Sequence, residues 1–104
     1  GGHTLNMFQN MVAAIQEGGM HYVNHTYDRP VTAAEAFYCA TKAGGSFFGK
    51  TGSFEPGYDF DALVINDSDA LLYNDFTLQQ RAERMIYCSD DRNIEKVFVN
   101  GKEL

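Results

Sequence analysis

The sequence predicts an α/β fold, on three observations. Thr32-Ala33-Ala34-Glu35 has the S/T-x-x-E form of a capping box, in which the Thr hydroxyl and the Glu carboxylate satisfy free amides reciprocally. Ala62-Leu63-Val64-Ile65 is a short apolar run bounded by aspartates, which reads as a strand buried on both faces. Asn100-Gly101, between Ile94–Val99 and Glu103-Leu104, is the strongest short hairpin signal a sequence can carry. The predicted order is helix, helix, strand, helix, hairpin. Three short strands make a poor free-standing sheet, because natural proteins normally cover such edges. The order itself points to a missing partner.

The elements follow in turn. Thr4 can cap a first helix in which Leu5, Phe8, Met11, Val12 and Ile15 recur at helical spacing. Gly18-Gly19 is expected to stop it, since glycine accepts the left-handed conformation that ends helices. Met20 to Pro30 lacks a clean period and reads as a loop. The helix opened by Thr32 is expected to run through Thr41, with Phe37, Ala40 and Thr41 inward. Gly44-Gly45 interrupts it and permits another backbone to approach closely, and Ser46-Phe47-Phe48 makes a turn closed by Gly49. Pro56-Gly57 is the pair expected in a type II turn. A further capped helix is expected from about Leu78 to Tyr87. There is no internal repeat and no low-complexity segment.

Composition narrows the class. A chain of 104 residues is one domain's worth at most, and 44% hydrophobic against 21% charged residues is a globular balance. Eight Lys and Arg against fourteen Asp and Glu give −6, which counts against a nucleic-acid surface built on clustered cations. No apolar run approaches the ~20 residues of a membrane helix, and no basic-then-apolar leader opens the sequence. Cys39 and Cys88 lack metal spacing and are too few for a disulfide framework, so a reducing cytoplasm is the simplest setting.

The run Ala40-Thr41-Lys42-Ala43-Gly44-Gly45-Ser46-Phe47-Phe48-Gly49, then Gly52-Ser53-Phe54-Glu55-Pro56-Gly57 and Asp61–Ile65, resembles the C-terminal portion of the amidohydrolase superfamily. Arg81–Tyr87 followed by Asp90-Asp91-Arg92-Asn93-Ile94 is similar to the tail of its guanine-deaminase branch, and Val97–Lys102 resembles the superfamily's closing hairpin. The resemblance spans essentially the whole chain. Phe60, before Asp61, stands where the family more often has alanine, which bears on packing more than on chemistry.

The resemblance implies a C-terminal fragment of a metal-dependent (β/α)8-barrel hydrolase. Residues 1–50 would supply the last barrel helices and loops, and residues 51–104 the strands and helix of a small composite β-sandwich. It implies zinc-dependent deamination of guanine to xanthine and ammonia, in a cytoplasmic homodimer. The zinc ligands of that pattern, an H-x-H pair, two further His and an Asp ending the eighth strand, would lie upstream of Gly1. No catalytic residue and no metal ligand is therefore assigned to this chain. Gly1-Gly2-His3 would fall in the loop after that last Asp, at the barrel face where active sites form. His3 there either approaches the substrate or simply leads the helix from the surface, and the glycines either admit an anion or permit a turn. Related substrates are an aminopurine, a pyrimidine or an s-triazine.

Other candidates have plainer readings. His21 and His25 are four apart, as metal ligands on one helical face can be, but Tyr22 stands where a zincin has Glu, and a loop or surface role is expected. Cys39 and Cys88 are expected to be buried as small hydrophobes. Asp59, Asp61, Asp67 and Asp69 lack the glycine and distal glutamate of an EF-hand and are read as strand-bounding turns. Asp90-Asp91-Arg92 is read as a turn with a local ion pair. Phe37, Phe47, Phe48 and Phe98 are expected in the core, or on surface meant to press against an absent barrel. The competing class is a non-enzymatic α+β interaction module, which should unfold cooperatively by itself.

Overall fold

The computed structural model describes residues 4–68 and 75–104. Helix α1 spans Met7–Val23, and its N-cap is Asn6, whose side chain accepts from the Gln9 amide. Thr4, the expected cap, lies further out; its hydroxyl accepts from the Asn6 N–H at 3.1 Å and braces the capping residue. The helix also runs through Gly18-Gly19, which were expected to end it. Gly18 is buried there, and a Cβ on it would lie 2.4 Å from Val31 Cγ2. Its bare backbone serves to let the segment before the next helix cross closely. Met20–Val23 are therefore helical, and the turn comes at His25, in the left-handed region with φ 58°.

Helix α2, Ala33–Tyr38, carries both halves of the Thr32–Glu35 capping box, at 3.1 and 3.0 Å. It passes into a single π-helical turn, Cys39–Ala43, and then a 3-10 turn, Ser46–Phe48, closed by Gly49 at φ 121°. Its inward face is Ala33, Ala36 and Ala40. Phe37 lies one residue round from that face and is 43% exposed, against expectation. The close approach expected at the paired glycines occurs at Gly45, where a Cβ would meet the Thr51 carbonyl oxygen at 2.3 Å.

Strands β1 (Ala62–Ile65), β2 (Ile94–Val99) and β3 (Lys102–Glu103) form one antiparallel sheet in that order. Ala62 pairs with Phe98 and Ile65 with Ile94, with a register shift between Val64 and Ile65. Asn100 at φ 52° and Gly101 at φ 79° close the hairpin as a type I′ turn requires. β1 is an edge strand, and Leu63 and Val64, which point to opposite faces, are 50% and 41% exposed. The expected burial on both faces is therefore not met among the described residues.

Helix α3, Leu78–Cys88, opens on a second capping box, Thr77 with Gln80. It presents Ile86 to the core, which α1 fills with Phe8 and Met11 and α2 with Ala36. Ile65 and Ile94 join the sheet to this three-helix cluster. Cys88 lies two residues beyond Ile86, on the opposite face of α3, and Cys39 lies one residue round from Ala40; both thiols are exposed rather than buried. Phe47 and Phe48, 87% and 82% exposed, pack edge-to-face on each other and belong to the surface. The radius of gyration is 15.0 Å, where a compact chain of this length has about 13 Å. The fold is open.

Candidate functional site

The openness takes the form of a concavity of about 1810 Å³ between the helices and the sheet. Phe37 and Tyr38 of α2, Phe48 of the 3-10 turn, Phe54, Leu63 of β1 and Val97 of β2 contribute to its wall. Apolar surface of this extent commonly marks a site of association.

Polar pairs at its margin fix the loops. Arg29 forms an ion pair with Glu35, and the shared hydrogen bond is the main cause holding the Glu35 carboxyl down to about 2. Lys42 Nζ pairs with Glu55, whose Oε2 also accepts from Ser53 Oγ at 2.7 Å. Lys42 and then Ser53 hold the Glu55 carboxyl below its usual range, and Glu55 raises the Lys42 ammonium in return. Glu55 also opens the Pro56-Gly57 turn, closed by Tyr58 N–H donating to the Glu55 carbonyl at 3.1 Å with Gly57 at φ 88°.

Asp61 ties together residues far apart in the sequence. Thr51 Oγ1 donates to its Oδ2, and the backbone N–H of Asn100 donates to its Oδ1 at 2.8 Å. These two donors, Thr51 first, hold its carboxyl below the ordinary aspartate value. Beside it the Gly101 N–H donates to the Phe60 carbonyl at 2.8 Å. The Phe60 ring lies between Phe54 and Phe98, with centroids at 5.7 and 5.8 Å, which is the packing role its departure from the family pattern implied.

Of the other aspartates read as turn residues, Asp90 acts in a local turn as expected, whereas the Asp67 carboxylate reaches a helix fourteen residues on. Asp67 takes Nε and Nη2 of Arg81 at 2.9 and 3.1 Å, tying α3 to the exit of β1, and Arg81 holds the Asp67 carboxyl low. Asp90 accepts from the Arg92 amide and guanidinium, and this local pair lowers its carboxyl. The Asp59 N–H donates to the Lys50 carbonyl at 2.7 Å. Asp69 lies outside the described residues.

The same is true of Gly1, Gly2 and His3, the residues assigned to a substrate-proximal loop. The structure does not bring His21 and His25 together as a ligand pair. His21 is in the last turn of α1 with its ring 4.7 Å from that of Tyr27, and His25 is beyond the helix in a left-handed turn. Among the described residues no three His, Cys, Asp or Glu side chains group to hold a metal ion. The donor set present does not fit the zinc site that the family resemblance implies. Sequence reasoning missed the concavity and the Thr51–Asp61–Asn100 tie. The tie joins residues 39 apart in sequence, which no local pattern reports.

The described residues thus form a capped helical layer and an open three-stranded sheet with an apolar hollow between them. Residues 1–104 match the amidohydrolase family, and the chain belongs to it. It is 34% identical to the guanine deaminase of Mus musculus and 33% identical to that of Homo sapiens, over 100% of this chain and 25% of each relative. It superposes on the crystal structure of guanine deaminase from C. acetobutylicum with bound guanine in the active site, at TM-score 0.87 and 52% identity. That match covers 94% of this chain and 23% of the other. The E. coli guanine deaminase matches at TM-score 0.71 and 26% identity, over 99% of this chain and 24% of that one. The chain thus spans about a quarter of the length of the relatives it matches.

Proposed function

We propose that this chain is part of a zinc-dependent hydrolase that converts guanine and water to xanthine and ammonia, a step of purine catabolism. Within it these 104 residues are structural, and the metal ligands lie elsewhere in the polypeptide. The observation that carries the reading is the 52% identity, at TM-score 0.87, to a guanine deaminase with guanine in its active site.

In this reading residues 1–50 supply the last barrel helices and residues 51–104 complete the small β-sandwich. The remainder of the polypeptide fills the concavity and covers β1, which accounts for apolar side chains such as Leu63 and Phe48 standing exposed. Gly1, Gly2 and His3 form a loop near the substrate. The enzyme is a homodimer and works in the cytoplasm; no helix among the described residues is long and apolar enough to cross a membrane.

The test is a substrate panel on the complete polypeptide, with ammonia release measured for guanine, adenine and cytosine before and after chelation. Guanine turnover that chelation abolishes and zinc restores is expected. Preference for adenine or cytosine, or indifference to chelation, overturns the assignment.

A further inference from the structure

Asn100-Gly101 does more than close a hairpin. In an Asn-Gly pair the glycine nitrogen can attack the asparagine Cγ, forming a C–N bond while the Cγ–Nδ2 bond breaks and ammonia leaves. Water then opens the resulting five-membered imide to aspartate or isoaspartate. The attacking nitrogen must give up its proton and swing toward Cγ, and glycine, lacking a Cβ, hinders this least.

Here that nitrogen is engaged. The Gly101 N–H donates to the Phe60 carbonyl at 2.8 Å, and the preceding Asn100 N–H donates to the Asp61 carboxylate at 2.8 Å. Both turn amides are thus held by adjacent residues at the entry to β1. Thr51 Oγ1 holds the other oxygen of the same carboxylate. We infer that Asn100 is a latent deamidation site, kept shut by the Phe60–Asp61 segment and converted only when the hairpin tip lifts from β1.

The conversion is one-way in structure as well as in chemistry. Isoaspartate adds a methylene to the main chain, so a two-residue loop no longer returns β3 to β2 in the Val99–Lys102 register. Either product also adds a negative charge at residue 100, beside the Asp61 carboxylate.

If the site reacts only when open, its rate is the intrinsic rate scaled by the open fraction. The experiment follows Asn100 by peptide mapping of the complete polypeptide in mildly alkaline buffer, native and in guanidinium. Native protein is expected to convert Asn100 at least about tenfold more slowly than unfolded protein, with isoaspartate among the products. Asp61→Ala, and more weakly Thr51→Val, should narrow that ratio at Asn100 and leave it unchanged at Asn10 in α1. Native conversion as fast as unfolded conversion overturns the inference, as does a folded Asp61→Ala protein with the wild-type ratio. If Asp61→Ala does not fold, the wild-type ratio and Thr51→Val decide the matter.

Discussion

The Asp61 carboxylate accepts the Asn100 backbone N–H at 2.8 Å, joining the entry of β1 to a hairpin tip 39 residues later. With Thr51 on its other oxygen, one side chain ties together the loop after the 3-10 turn, the edge strand and the hairpin.

The first prediction concerns acid. The Asp61 carboxyl is depressed in the folded state by Thr51 and then by Asn100, so its contribution is present above the unfolded aspartate value of about 3.9. It is lost as pH falls through the lower folded value. Glu35, held down to about 2 chiefly by Arg29, has the same sign. In the complete polypeptide the urea midpoint should fall below about pH 4, and Asp61→Asn should flatten part of that fall. An unchanged pH profile in Asp61→Asn would contradict the assignment.

Two neighbouring glycines in α1 should respond oppositely to alanine. At Gly18 a Cβ would lie 2.4 Å from Val31 Cγ2, so Gly18→Ala should cost about 1–3 kcal/mol through overpacking. At Gly19 nothing lies within 4 Å, so Gly19→Ala should stabilise by roughly 0.5–1 kcal/mol. Chemical denaturation of the complete polypeptide measures both, and effects of equal sign would refute the packing account.

This pair also shows what was legible in the sequence. The capping box at Thr32, the turn at Pro56-Gly57, the Ala62–Ile65 strand and the Asn100-Gly101 hairpin are local, and each appears where its pattern places it. Gly18-Gly19 was misread because a glycine that ends a helix and one that admits a crossing chain look alike until Val31 is in place. Burial was misjudged at Cys39, Phe37 and Leu63 for a related reason. In the proposed reading an apolar pattern records what the complete polypeptide covers, and these side chains await the rest of that surface. The Asp61 tie was invisible because its partners are remote.

The Gly45–Thr51 crossing should tolerate no side chain. A Cβ on Gly45 would lie 2.3 Å from the Thr51 carbonyl oxygen, and one on Gly52, at φ 86°, would lie 2.3 Å from that of Thr41. Main-chain atoms in a packed crossing have little room to yield. Gly45→Ala and Gly52→Ala should each sharply reduce soluble, folded protein, and a normal melting temperature in either would show that the crossing can relax.

The 104-residue chain by itself should lack a cooperative melt. Among its described residues the buried apolar side chains are Phe8, Met11, Ala36 and Ile86, while Phe47, Phe48 and Leu78 are more than four-fifths exposed. Calorimetry should find no sharp transition, and light scattering should find association. A two-state melt would instead favour the self-sufficient interaction module. In the complete polypeptide, Ile86→Ala should cost about 2–5 kcal/mol, as truncation of a buried core side chain does.

The central claim is that these residues shape a guanine-deaminating hydrolase without performing its chemistry. Xanthine formation from guanine, measured side by side for the complete polypeptide and for the 104-residue chain, tests it most directly. Turnover by the complete polypeptide and none by the shorter chain is the predicted result. Turnover by the shorter chain alone, or none by the complete polypeptide, would contradict it.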